Sequence, residues 1–342
     1  MDFYFTSQYS SSQIDEWFNR IQIIHGDITQ AKFGLEAKYY ESLGTKVDTV
    51  IHTAALVKHY GYYEEFERAN VHGTQHVVTF CLNNTLPLHY VSTLSVSGTS
   101  VEGATELVEF TERDFYVGQN YESNVYLRSK FEAEAVIVNG LENGLDARIY
   151  RVGNLTGRFQ DGWFQENINE NMFYLLSKAF LELGGFDQEI MQGMVDLTPI
   201  DICAEAIIHV ITSKGIQERV FHLQNPHFVT YDDMYRVFEE LGFSRRIQSR
   251  EDVTRELGVM MSQGNEKQFL AGLMTIMLKD AKRAEQFNVA VDSSRTLQLL
   301  EDSSFTYPVP DGEYMRKLAM HMIKVGFVTP NHTVDEKIGT SR

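Results

Sequence analysis

Apolar runs that end in small or hydroxyl-bearing residues recur along the first two thirds of this chain, and helical stretches separate them. Val50-Ile-His-Thr-Ala-Ala55 reads as a buried strand that empties into two small residues. A helical stretch containing Ala69-Asn-Val-His-Gly-Thr74 follows. Then comes His89-Tyr-Val-Ser-Thr-Leu-Ser-Val96, an apolar run that ends in hydroxyls, as a strand does at the carboxyl edge of a sheet. After a helix around Tyr126, Ala147-Arg-Ile-Tyr-Arg-Val-Gly-Asn154 is another strand, broken at Gly153. Val195-Asp-Leu-Thr-Pro-Ile200 leads from a strand into a helix, and Arg219-Val-Phe-His-Leu223 is one strand more. Strands alternating with helices of roughly 12 to 20 residues predict a parallel sheet with helices on both faces. Ligands of such sheets bind at the carboxyl ends of the strands, where these runs break.

The last third changes period. Tyr231 to Leu241, Glu266 to Lys279 and Glu313 to Lys324 each place apolar residues at helical spacing, and Asp311-Gly312 marks a turn before the last of them. The polar tail after Pro330 reads as frayed. Two methionine groups, Val259-Met-Met261 and Leu273-Met-Thr-Ile-Met277, suit a helix-packing core more than a substrate tunnel, because apolar stripes at helical spacing usually face a core. Trp163 and Phe164, just past the strand end at Gly153, are candidates for a pocket wall.

Candidate chemistry sits where those strands end. In Tyr126-Leu-Arg-Ser-Lys130 a phenol and an ammonium stand four residues apart, on one helix face. A phenol with a free pKa near 10 gives up its proton more readily beside a cation. With a strand-end hydroxyl such as Thr93, the pair forms a proton-donating device for a carbonyl oxygen. Ser92 and Ser95 compete with Thr93 for that place, and a hydroxyl there can also simply cap backbone. The Tyr/Lys spacing is weak alone and gains its meaning from the order of the surrounding strands.

Composition narrows the class. The 342 residues are 43% hydrophobic, enough for one large or two moderate domains. No run approaches the 18 or so apolar residues of a membrane span, and the start lacks a signal peptide's basic and apolar regions. A net charge of −17 argues against nucleic acid and against an anionic membrane surface. Cys81 and Cys203 have no metal-ligand spacing and read as buried thiols of a reducing, cytoplasmic compartment. His72 and His76 share a helix face, but Gly73 stands where a zinc protease needs glutamate, so we expect no metal. Ser244-Arg-Arg-Ile-Gln-Ser-Arg250 reads first as a solvated loop and second as a docking patch.

Several segments, in order and spacing, carry a resemblance. They are Gly26-Asp-Ile-Thr29, VIHTAALVKHYGYYEEFERANVHGT, LHYVSTLSV, YLRSKFEAE, YRVGNLTGR and VDLTPIDICAEAI. Together they resemble the extended short-chain dehydrogenase/reductase superfamily. More narrowly they are similar to the thioester reductase domains that end nonribosomal peptide synthetases, and to carboxylic acid and aminoadipate reductases. The resemblance implies an α/β Rossmann-like, doubly wound parallel sheet with a smaller, mainly helical substrate domain. It implies a nucleotide-binding core over residues 1–158 and 193–225, and a substrate- and carrier-facing domain over 159–192 and 226–342.

By the same resemblance Thr93, Tyr126 and Lys130 are catalytic, with Lys130 also bonding the nicotinamide ribose. Asp27 accepts the adenine amino group, with Ile28 beside it. His52, Ala54 and Ala55 line the ribose and diphosphate through close backbone approach. Asn70 braces the catalytic strand. Val152, Gly153 and Asn154 flank the nicotinamide, with Val152 where the family usually has proline.

The implied activity is NADPH-dependent release of an acyl or peptidyl thioester from a phosphopantetheinylated carrier protein, as an aldehyde and on occasion an alcohol. Two other readings stay open: a reductase, epimerase or dehydratase acting on a free small molecule such as a nucleotide sugar, and a catalytically silent scaffold. The scaffold reading is prompted by the start of the chain. Only 25 residues precede Gly26, and they hold no glycine, whereas the family has there a first strand and a glycine-rich turn. Met1 therefore reads as an internal position of a larger multidomain polypeptide, with a natural short product as the rival.

Overall fold

The computed structural model describes residues 9–58, 61–122, 124–184, 188–263 and 288–331. Ten strands are β1 (Val50–His52), β2 (Leu88–Thr93), β3 (Val108–Phe110), β4 (Ala147–Val152), β5 (Leu155–Thr156), β6 (Met194–Val195), β7 (Thr198–Pro199), β8 (Val220–Leu223), β9 (Val229–Thr230) and β10 (Val289–Val291). Helices are α1 (Ser11–Phe18), α2 (Ala37–Gly44), α3 (Tyr63–Phe66), α4 (Gly73–Asn84), α5 (Val125–Glu142), α6 (Met172–Leu183), α7 (Gln188–Met191), α8 (Ile200–Thr212), α9 (Tyr231–Glu240), α10 (Arg250–Met261), α11 (Ser294–Asp302) and α12 (Gly312–Lys324).

The architecture is α/β and Rossmann-like, with a four-stranded sheet in the order β1-β2-β4-β8. β1 and β2 run parallel, with Val50 opposite Leu88 and His52 opposite Tyr90. β1 stops at His52, shorter than the apolar run to Ala55 suggested; Thr53 and Ala54 are exposed and outside the ladder.

By contact density the chain forms two compact units. The first comprises residues 1–91, 124–149 and 165–167, and the second comprises 92–123, 150–164 and 168–342. Their boundary falls within β2 and within β4, so it does not follow the interleaving that the resemblance implied.

In the first unit α3 and α4 are joined by a π-helical turn, Glu67–His72, and both helices pack on α5. Close packing explains two glycines there. A Cβ at Gly140 of α5 would lie 2.9 Å from the Leu145 side chain, and one at Gly73 3.0 Å from that of Ile28. The second unit is centred on a cluster from α6, α9, α10 and α12 that includes Tyr174, Phe180, Tyr235, Phe238, Leu257 and Met322. Met260 is buried in that cluster, while Val259 and Met261 are exposed. The methionines at 274 and 277, like the helix expected over 266–279, lie outside the described residues.

Candidate active site

Asn124 opens α5 by accepting the backbone N–H of Tyr126 at 2.8 Å and that of Leu127 at 3.2 Å. This cap fixes where the helix begins. It thereby puts Tyr126, half-buried, in the first turn and Lys130 one turn deeper. Lys130 is 3% exposed. Its Nζ donates to the Tyr90 hydroxyl at 2.8 Å and to the Val91 carbonyl at 2.9 Å, and lies 4.4 Å from the centre of the Tyr90 ring. Burial draws the Lys130 pKa down to about 7, against the pull of Glu134, a buried carboxylate one turn further along α5. The ammonium carries three N–H groups, and Tyr90 and Val91 take two of them. The third can serve a ribose hydroxyl, so this donor set fits a nicotinamide nucleotide.

Asn70, in the π-helical turn, is 1% exposed and ties the segment after β1 to α5. Its Oδ1 accepts the Leu56 N–H at 2.7 Å, and its Nδ2 donates to the Leu56 carbonyl at 3.0 Å and to Ser129 Oγ at 2.8 Å. Ser129 in turn donates to the Tyr126 carbonyl at 2.8 Å. The bracing role thus acts on the loop after β1 and on the Tyr126 turn. One turn wound as a π-helix is a frequent signature of such positions.

His52 is 5% exposed, and its Nε2 lies 3.1 Å from Thr74 Oγ1. Burial, reinforced by the Lys130 charge, lowers its pKa to about 4, so the imidazole is neutral at physiological pH. Ala54 is exposed and Ala55 half-buried, leaving the backbone past β1 open to close approach. Asp27 is exposed and closes a local turn, accepting from the Thr29 N–H, the Thr29 hydroxyl and Gln30 Nε2 at 2.8 to 2.9 Å. Those bonds hold its pKa below the usual carboxylate value. Ile28 lies against Gly73, and its carbonyl is 2.8 Å from His76 Nδ1. One of the two helix-face histidines therefore has a backbone partner.

In the second unit Thr93 ends β2, 8% exposed. Its Oγ1 accepts the Ser95 N–H at 3.2 Å and lies 3.2 Å from Ser95 Oγ, so this hydroxyl caps the 3-10 turn over Leu94–Ser97. Val152 is buried at the end of β4, and Gly153 N donates to the Leu223 carbonyl at 3.0 Å. Asn154 projects an exposed side chain while its N–H donates to Asp196 Oδ2 at 2.7 Å. Asp196 was not singled out from the sequence. It is 6% exposed, accepts Thr198 Oγ1 at 2.5 Å, and has its pKa raised by burial to about 6. Tyr90 and Thr74 also went unnoticed, because a strand tyrosine and a helix threonine carry no distinguishing local signal.

Two surface expectations change. Phe164 is 2% exposed and packs on Tyr174 inside the helical core, so it is not a pocket wall; Trp163 rests against His321 and Lys324. Arg245 pairs with Asp232 and approaches Glu239, and Arg246 lies 3.5 Å from Glu256. Carboxylates thus meet the arginines of that loop, which argues against an anion-docking patch. Among the described residues, no helix is long and apolar enough to cross a membrane.

Comparison with known proteins agrees with this geometry. The sequence profile of the NAD-binding family described as Male sterility protein matches residues 4–207. A linear gramicidin synthase of Brevibacillus parabrevis is 26% identical over 310 residues, 90% of this chain but 6% of that protein. The thiolation-reductase di-domain of an archaeal nonribosomal peptide synthetase superposes with a TM-score of 0.79 at 28% identity, over 94% of this chain and 66% of that one. The terminal R domain of the myxalamid pathway gives a TM-score of 0.79 at 25% identity, over 95% and 80%. This chain therefore spans a small part of the curated relative and most of the solved reductase domain. On the match across more than half of its length, the chain belongs to the Male sterility protein family of NAD-binding domains, with the fold of synthetase reductase domains.

Proposed function

We propose that this chain reduces an acyl or peptidyl thioester, presented on the phosphopantetheine arm of a carrier protein, with NADPH as reductant, and so releases an aldehyde. The observation that carries the reading is the Lys130 ammonium, buried one helical turn from Tyr126 with a donor to spare. The likeness to a thiolation-reductase di-domain and to a terminal R domain supports the substrate class.

A bound nicotinamide supplies hydride to the thioester carbon. Tyr126 gives its proton to the oxygen on which negative charge then builds, and the Lys130 charge eases that donation. Lys130 also holds a ribose hydroxyl, Thr93 is the neutral hydroxyl donor, and Asn70 keeps the Tyr126 turn in register through Ser129. Val152, Gly153 and Asn154 flank the nicotinamide, His52, Ala54 and Ala55 the ribose and diphosphate, and Asp27 with Ile28 the adenine. Collapse of the hemithioacetal frees the carrier thiol and the aldehyde. We further propose that the chain works inside a multidomain synthetase, with residues 159–192 and 226–342 facing the carrier.

The test is incubation with NADPH and an acyl group on a phosphopantetheinylated carrier protein. Loss of NADPH absorbance matched by trapped aldehyde supports the reading. An intact thioester, with turnover of a nucleotide sugar instead, overturns it.

A further inference from the structure

Lys130 does not stand alone beneath the α5 helix. Its Nζ bonds the Tyr90 hydroxyl at 2.8 Å, that hydroxyl hydrogen-bonds the Thr74 side chain, and Thr74 Oγ1 lies 3.1 Å from His52 Nε2. The four side chains are 1 to 5% exposed and come from four different elements: α5, β2, α4 and β1. The register explains the convergence, because His52 and Tyr90 are directly opposite in the parallel ladder and their rings are 5.5 Å apart. A phenol can accept from an ammonium and donate onward, and a threonine hydroxyl can do the same toward an imidazole. Neutral His52 ends the line without adding a second charge.

We propose that Tyr90 is a positioning residue for Lys130, the first member of a buried hydrogen-bonded line, Lys130–Tyr90–Thr74–His52, that holds the ammonium in place and keeps it charged. This rests on the reading of Lys130 as the cation that assists Tyr126. Burial strips water from the ammonium, and two acceptors replace it: one backbone carbonyl and one phenol. The titratable groups facing Lys130 are Glu134 and Tyr126 on its own helix, Tyr90 on β2 and His52 on β1. Of these, Tyr90 is the one bonded directly to Nζ.

The experiment is Tyr90→Phe, which removes the acceptor oxygen and leaves the ring beneath the ammonium. The Lys130 Cε resonance of 13C-lysine-labelled protein, assigned with Lys130→Arg, reports the titration directly and needs neither cofactor nor turnover. The expected result is a midpoint lower by about one to two pH units, the size of a lost bond to a charged group. Thr74→Val should move it less and in the same direction, and serves alone if Tyr90→Phe does not fold. A native circular dichroism spectrum with an unmoved midpoint overturns the proposal. Failure of the parent reading looks different: Lys130→Ala would then reduce thioesters at the parental rate, whatever the resonance does.

Discussion

The carboxylate of Asp196 occupies the space that a side chain at position 153 would need. A Cβ built on Gly153 falls 2.2 Å from Asp196 Oδ2 and 3.1 Å from Thr198 Oγ1. The same oxygen accepts the Asn154 N–H, so one buried group sets both the identity of residue 153 and the path of the chain beyond β4.

Gly153→Ala should therefore be costly for a reason other than backbone freedom. The methyl must push the carboxylate away, which breaks its bonds to Asn154 and Thr198 inside the protein. A loss of about 1 to 3 kcal/mol is expected, the penalty of a buried polar group left without its partner. Urea denaturation measures it. Gly153→Ala combined with Asp196→Ala should recover part of the loss, because the clash disappears; a double variant as unstable as the sum of the singles would show that the two residues do not interact.

Asp196 also carries a pH dependence whose sign can be worked out. Its folded pKa is raised by burial from 3.8 to about 6. The folded state thus favours the protonated acid, and the stability this gives is complete below the unfolded value and lost as pH rises through about 6. The size is of order 3 kcal/mol, since moving a pKa by one is worth about 1.4 kcal/mol. His321, lowered by burial to about 4, works in the opposite direction across an overlapping range, so the parent alone does not report Asp196. Asp196→Asn, which has no proton to lose, should gain on the parent as pH rises from about 4 to about 7. Parallel stability curves for the two proteins would count against the assignment.

Tyr126→Phe separates chemistry from packing. The ring stays in the first turn of α5, and the cap by Asn124 acts through backbone N–H groups that the substitution leaves alone. Folding and NADPH binding should hardly change, while thioester turnover should fall by roughly 10² to 10⁴, the usual contribution of a positioned acid. Parental turnover in this variant would remove Tyr126 from the chemistry.

What could be read in the sequence follows from how local each signal is. Tyr126 and Lys130 were legible because helical spacing alone puts them on one face. The ends of β2 and β4 were legible because apolar runs break at Thr93 and Gly153. The closed turn at Asp27 uses partners two and three residues away, again a local pattern. Tyr90 and Asp196 were not legible, since their partners lie 40 and 42 positions away in the chain. Strand alternation says which residues are inward and is silent on which distant group each one meets. Phe164 illustrates the same limit: its place after a strand end suggested a wall, and its fit against Tyr174 makes it core.

Thr93 is the residue for which two roles compete, and its variants can divide them. The hydroxyl caps the turn at Leu94–Ser97 by accepting the Ser95 N–H. Thr93→Val keeps the shape and removes that bond, so about 1 kcal/mol of stability should be lost on capping grounds alone. If the hydroxyl also donates to the substrate oxygen, turnover should fall in addition by roughly 10²-fold, as when one oxyanion donor is removed. Thr93→Ser retains the hydroxyl and should preserve most of both properties. The informative quantity is the rate of Thr93→Val measured well below its melting temperature, where the folded fraction matches the parent. A normal rate there, with the stability loss present, would leave Thr93 as a cap and assign the neutral donor to another hydroxyl of the same strand end.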